Sequence, residues 1–213
     1  PTRAPDAGDL AVLDDVDAQP VGRAGEAPGD RVVARGAAAP LERSAQAQVR
    51  LIEDLLDDTR VTSGKLRLNQ RPLQIGSVIE SALADLKPAA EEKGTRIVSD
   101  FRCQACPIIG DPVRLQQVIW NIVSNAIKFT PEGGTVFVSL ERNDSMAQIT
   151  VRDTGRGIDP GLLPQLFQRF RQGDSASDRK AGIGLGLAIS KYLVEQHGGS
   201  IRASSEGRGK GST

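Results

Sequence analysis

The stretch from Asp111 to Phe129 limits the fold of this chain more than any other. Asp111-Pro112 is a helix-start signal: an acceptor side chain at the N-cap, then a proline whose missing N–H costs nothing in the first turn. Leu115, Val118, Ile119, Ile122 and Ala126 then recur at helical spacing and make one apolar face. Asn121, Asn125 and Lys128, at i, i+4 and i+7, share the neighbouring face. The apolar face has to lie against something, and the rest of the chain offers a sheet. Thr95–Phe101 reads as a strand. Gly133-Gly134 turns into two more, Thr135–Glu141 and Met146–Val151, joined through Asn143-Asp144. Further helices are expected over Gly76–Lys93, with Val78, Ile79, Ala82, Leu83 and Leu86 inward, over Leu162–Arg171, and over Leu185–His197. Ser200–Ser205 is expected as a last strand. This order predicts an α+β fold, a two-layer sandwich with antiparallel hairpins and helices on one face.

One long amphipathic helix precedes that fold. Leu41, Ala45, Val49, Ile52, Leu55 and Leu56 follow helical spacing up to Thr62, and Ser63-Gly64 stops the run. Such a helix cannot bury its stripe alone and calls for a partner helix or a second copy of the chain. Lys65-Leu66-Arg67-Leu68 is a short alternating stretch. Residues 1–40 are rich in Ala, Gly and Pro and hold no aromatic residue, which predicts a mostly disordered leader, with a short helix near residues 9–18 as the alternative.

Composition excludes several classes. Lys+Arg is 27 and Asp+Glu is 27, a balance that argues against coating nucleic acid or an anionic membrane. With five Phe, one Tyr and one Trp, the core must be built from Leu, Ile, Val and Ala. No apolar run approaches the roughly 18 residues of a membrane span. One His rules out a site needing several from this chain. Cys103-Gln-Ala-Cys106 is a lone C-x-x-C; zinc takes four ligands and no second pair exists, so a reduced, incidental pair is expected. A soluble intracellular protein is the default.

Four clusters carry chemistry. Two Asn in mid-helix go against propensity; amide oxygens ligate hard cations, and Lys128 can meet a phosphate as a point charge. Asp153-Thr-Gly-Arg-Gly157 follows a strand, where glycines let a ligand approach the backbone and a carboxylate can accept from an exocyclic amine. Gly182-Ile-Gly-Leu-Gly-Leu187 runs into a helix, a setting that favours phosphates, but it is neither a Walker A loop nor a dinucleotide fingerprint. Leu166-Phe-Gln-Arg-Phe170 holds two of the Phe residues, whose ordinary reading is packing.

Taken together and in this order, the clusters resemble the N, G1, F and G2 boxes of the ATP-binding domain of sensor histidine kinases. The match runs from Asp111-Pro-Val-Arg-Leu-Gln-Gln-Val through Asn121-Ile-Val-Ser-Asn-Ala-Ile-Lys-Phe-Thr130, Asp153-Thr-Gly-Arg-Gly-Ile, Phe167–Gln172 and Gly182–Lys191. It ends at His197-Gly-Gly and Gly209-Lys-Gly-Ser. The wording Phe170-Arg-Gln-Gly-Asp174 is similar to that of hybrid-type kinases. The resemblance implies Asn125 as a Mg²⁺ ligand supported by Asn121, and Lys128 near the phosphates. It implies Asp153 on the adenine amino group, with Gly155 and Gly157 shaping the floor and Ser212 supporting Asp153. It implies Gly182, Gly184 and Gly186 in the lid over the triphosphate. Hydrolysing cousins carry Glu where this chain has Asn121, and an amide is no general base at neutral pH.

The reaction implied is Mg²⁺-dependent phosphoryl transfer from ATP to a protein histidine, in the cytoplasm. The implied partners are a phosphoacceptor histidine domain and a response-regulator receiver domain. Residues 41–64 resemble the second helix of the dimerisation and phosphoacceptor hairpin, so a homodimer through 41–62 is expected, and 65–213 the catalytic domain. The family pattern also implies a preceding helix with the acceptor His, which 1–40 does not contain, and an apolar strand after Gly211-Ser-Thr213. His197, at a helix end, matches a structural position of the family. The missing acceptor favours an alternative: a non-catalytic ATP-binding scaffold that regulates another kinase.

Overall fold

The computed structural model describes residues 48–49, 52–53, 55–103, 105–171 and 183–213. The expected leader, the start of the first helix and Gly182 lie outside the described residues. Residues 55–62 close helix α1 and are followed by the turn at Ser63-Gly64. Then come β1 (Arg71–Gln74), α2 (Ile75–Glu92), β2 (Arg96–Phe101), β3 (Pro107–Gly110), α3 (Pro112–Phe129), β4 (Thr135–Asn143), β5 (Met146–Asp153) and α4 (Gly186–Gln196).

The strands β2, β4 and β5 make one sheet, in the order β2-β4-β5. The chain passes from β2 to β4 through β3 and the long helix α3, so β4 returns parallel to β2, Arg96 facing Thr135 and Phe101 facing Leu140. β5 folds back antiparallel on β4, from Val136 opposite Asp153 to Asn143 opposite Met146. β4 and β5 thus form the antiparallel hairpin that the sequence pattern predicts, and the parallel β2–β4 pairing, which periodicity does not register, makes the sheet mixed. β1 and β3, which no periodicity marks in so few residues, pair antiparallel beside it.

Alternation along β4 sends Val136, Val138 and Leu140 inward, where they meet Ile75, Ile79, Ala82 and Leu86 of α2 and Ile119, Val123 and Ile127 of α3. The outer face is polar, and Arg152 lies over the Phe137 ring, 4.6 Å from its centroid. A second, smaller core joins α3 to α4: Val118, Leu185, Ile189 and Leu193, with Leu66 and Leu68 packed on it. Residues 65–70 thus contribute their two leucines without forming a strand. Helices on one side and a sheet on the other make the expected α+β sandwich. Among the described residues no helix is long and apolar enough to cross a membrane.

Three further expectations are corrected. Only a 3₁₀ turn, Leu163–Gln165, occupies the span expected as a helix over Leu162–Arg171, and none of its residues is buried; without packing, a short helix is not sustained. Ser200–Ser205 forms no strand. The chain instead doubles back through a glycine-rich turn, so that Ser204 and Thr213 exchange two backbone hydrogen bonds of 2.8 and 2.9 Å. Cys103 and Cys106 are joined as a disulfide, not a reduced pair; the turn between β2 and β3 brings their Cα atoms to 5.8 Å, within bridging distance.

Both ends of α3 are pinned. Asp111 caps its start: Oδ1 accepts from the N–H groups of Val113 (3.0 Å) and Arg114 (3.3 Å), and Oδ2 from the N–H of Asn69 (2.9 Å). The Asp111 N–H donates to His197 Nε2 at 3.0 Å, and His197 Nδ1 meets the Leu193 carbonyl at 2.7 Å. The imidazole, engaged at both ring nitrogens, ties the end of α4 to the start of α3. At the other end Lys93 Nζ donates to the carbonyls of Ile127 (2.6 Å) and Lys128 (2.5 Å), a cation on the negative end of the helix dipole. Partial burial lowers the Lys93 ammonium from its ordinary range.

Burial pushes the Asp111 carboxyl up, but the three N–H donors and the Arg114 charge outweigh it and hold the group below the usual carboxylate range. A depressed value stabilises the fold above the unfolded pKa, about 4, and that contribution fades as pH falls through the folded value. Asp111→Ala should cost about 1–2 kcal/mol at pH 7. In urea unfolding, the advantage of the wild type over Asp111→Asn should be constant above about pH 4 and shrink in more acid solution.

Candidate functional site

The polar face of α3 and the end of β5 border one broad cleft, lined by Asn121, Asn125, Lys128, Asp153, Gly184 and Gly186 among others. Asn121 is 8% exposed. Its Nδ2 donates to the Gly186 carbonyl (3.3 Å) and to Ser190 Oγ (3.4 Å), which fastens the start of α4 to mid-α3. Asn125, one turn on, is half-buried at the cleft. Lys128 is exposed, its Nζ 5.3 Å from the Phe129 ring centroid. Helical spacing thus brings all three to the cleft.

Asp153 ends β5 opposite Val136 and is 8% exposed. Its Oδ1 accepts the Gly155 N–H at 2.7 Å, and its Oδ2 accepts from the Ser212 hydroxyl. The Asp153 N–H donates to the Ser212 carbonyl at 2.9 Å. A carboxylate has about four lone-pair positions, so Asp153 keeps room for a further N–H donor from the cleft. The loop after it is locked to α3: Arg156 N–H donates to the Phe129 carbonyl (3.2 Å) and its guanidinium lies 4.2 Å from the centre of the Phe129 ring. Gly155 is required by this approach, since a Cβ there would lie 2.5 Å from the Phe129 carbonyl oxygen. Gly157, on the same loop, lies against the backbone of Gly207, whose carbonyl oxygen a Cβ there would meet at 2.0 Å.

On the facing rim Gly184 has φ +79° and accepts the Phe170 N–H at 3.0 Å. Gly186 opens α4. The structure therefore brings Asn121, Asn125, Lys128, Asp153, Gly157, Gly184, Gly186 and Ser212 to one cleft, with Gly155 bonded to Asp153 behind it. Among the described residues no group of three His, Cys, Asp or Glu side chains could hold a metal. The donor set suits Mg²⁺ all the same, because that ion keeps several waters and takes one or two protein oxygens along with substrate phosphates. Asn125 carries an amide oxygen of that kind at the cleft.

Residues 110–213 match the family of histidine kinase-, DNA gyrase B- and HSP90-like ATPases. The solved mycobacterial sensor histidine kinase MprB is 30% identical with a TM-score of 0.56, over 63% of this chain and 85% of that one. This chain belongs to the sensor histidine kinases. The sensor histidine kinase GacS of Pseudomonas protegens is 40% identical over 167 residues, 76% of this chain and 18% of the relative. The chain thus spans about a fifth of the length of the curated relatives it matches. The structure of full-length ShkA in complex with AMPPNP is 29% identical with a TM-score of 0.69, over 84% of this chain and 37% of that one. The described domain is the ATP-binding catalytic module of the family.

Sequence pattern did not point to three residues that shape this kinase site. Lys93 anchors the carbonyl of Lys128 from the end of α2. Asp57 and Asp58, on α1, hold Arg114 and Arg169. Each is a contact between residues far apart in the chain, which periodicity does not register. Ser212→Ala leaves the buried Asp153 Oδ2 short of a partner. It should lower unfolding stability by about 1–3 kcal/mol, read as a shift of the urea midpoint at unchanged slope.

Proposed function

We propose that the domain binds ATP with Mg²⁺ and delivers the γ-phosphoryl group to the histidine of a phosphoacceptor helix hairpin, from which it passes to a receiver domain. The single observation that carries this reading is the arrangement of the cleft: a carboxylate fixed by Gly155 and Ser212 on one side, an amide-and-lysine face on the other. Asp153 would accept the adenine amino group, and Lys128 would face the phosphates. Gly155, Gly157, Gly184 and Gly186 would leave the backbone close to the nucleotide. Mg²⁺ held by Asn125 would neutralise charge between the phosphate oxygens. Asn121 supports the metal side and cannot activate water, so the arrangement favours transfer to a protein acceptor over hydrolysis. The complex of ShkA with AMPPNP supports the same nucleotide class.

The wording of residues 170–174 supports a hybrid-type kinase, acting in the cytoplasm where ATP is. The exposed stripe of Val49, Ile52, Leu55 and Leu56 supports pairing of α1 with a second copy.

Titration calorimetry with a non-hydrolysable ATP analogue tests the site. Asp153→Asn and Asn125→Ala should each weaken binding tenfold or more, as loss of a charge-assisted hydrogen bond or a metal ligand implies, and EDTA should weaken it further in the wild type and in Asp153→Asn but not in Asn125→Ala. Wild-type affinity in both variants would reject the assignment. The sole histidine, His197, is engaged at both ring nitrogens, so incubation with γ-labelled ATP should leave no acid-labile, base-stable label on this chain. An added hairpin carrying the acceptor histidine should become labelled.

A further inference from the structure

The end of α1 is held on the catalytic domain at two points. Asp57, 3% exposed, pairs with Arg114 Nη1 at 2.5 Å and accepts from Gln117 Nε2 at 2.9 Å, both on the first turns of α3. Asp58 pairs with Arg169 Nε at 2.9 Å, and Arg169 Nη1 donates to Thr62 Oγ1 at 2.9 Å. The first contact only seats the helix. The second reaches the cleft. Arg169 precedes Phe170, which has φ +58°, a left-handed conformation that a bulky residue adopts only where its neighbours hold it. Phe170 is held on one side by its N–H bond to the Gly184 carbonyl, and on the other through Arg169, which pairs with Asp58 of α1. Gly184 fits so closely that a Cβ would lie 2.8 Å from the Arg171 carbonyl oxygen. Two residues on, the Gly186 carbonyl accepts from Asn121. A short chain of bonds and packed backbone thus runs from Asp58 through Arg169, Phe170 and Gly184–Gly186 to Asn121.

We propose that Arg169 is a positioning residue that links the docking of α1 to occupancy of the nucleotide pocket, an inference that rests on the nucleotide reading above. With α1 docked, Arg169 and Phe170 set the Gly184–Gly186 segment against Asn121. A nucleotide then meets a rim that is already ordered, and the cost of ordering it does not reduce affinity. Linkage is reciprocal, so a bound nucleotide must tighten the docking of α1 by the same factor. The Arg169 side chain is 41% exposed and that of Asp58 15%, so solvent screens the pair. The coupling therefore belongs at the low end of the usual range, about fivefold.

The test uses the whole chain, with a non-hydrolysable ATP analogue and Mg²⁺ as the probe. Calorimetry compares the wild type, Arg169→Ala, Asp58→Asn, the double variant and Arg169→Lys; hydrogen exchange follows residues 55–62 with and without the analogue. Arg169→Ala and Asp58→Asn should each bind about fivefold more weakly, and the double variant no more weakly than either. Arg169→Lys should recover part of the loss. The analogue should slow exchange over residues 55–62 in the wild type and leave it unchanged in Arg169→Ala. Unchanged or tighter binding by Arg169→Ala overturns the linkage, as do additive losses in the double variant or equal exchange with and without analogue in the wild type. If the wild type binds no analogue, the nucleotide reading itself fails and takes the linkage with it. Normal binding by every variant rejects the linkage alone.

Discussion

The carboxylate and N–H of Asp111 make four hydrogen bonds, and the arrangement of the helices follows from them. Its carboxylate takes two N–H groups that α3 cannot satisfy by itself, and a third from Asn69 on the strand-free segment that follows α1. Its own N–H goes to His197, whose other nitrogen closes the last turn of α4. One residue therefore starts the central helix, seats the C-terminal helix beside it and draws in the connection from α1. Each donor would otherwise be an unpaired polar group in a part-buried place, which explains why a single side chain has so much influence.

What this junction positions is α3, which serves the core and the cleft at once. Val123 and Ile127 are turned into the aliphatic core over β4, while Asn121 and Asn125 look toward the cleft. The same helix fixes the opposite wall, because the Phe129 carbonyl and ring hold Arg156 and with it the loop after Asp153. A catalytic module of the histidine kinase family thus gains a preset pocket from ordinary helix packing. The two anchors of the cleft, the α3 face and the end of β5, belong to the sheet-and-helix sandwich.

The α1 segment stands in a different physical situation. Its stripe is exposed, with Ile52 60% accessible, yet its last turns are tied to the domain by charge: Asp57 on Arg114 and Asp58 on Arg169. Charge contacts are directional and come apart more readily in water than a packed apolar face.

The local rules written in the sequence were enough for much of this. The capping pair Asp111-Pro112, the periodicity of α2 and α3 and the alternation of β4 settled the main elements. Asn121, Asn125, Lys128 and Asp153 could be named because helical spacing and strand ends place side chains by geometry alone. Elsewhere local rules were insufficient. The parallel pairing of β2 with β4, the short strands β1 and β3, the closing of Cys103 on Cys106 and the doubling back of residues 204–213 each depend on which distant segments lie alongside. So do the Lys93 contacts at the end of α3 and the Arg169 contacts with α1. The sequence by itself determined the main helices and the β4–β5 hairpin and which residues share the polar face of α3, since these follow from period and position. Only the tertiary structure decided how those elements pair and which charges meet, because burial, hydrogen-bond satisfaction and ion pairing are properties of residues far apart in the chain.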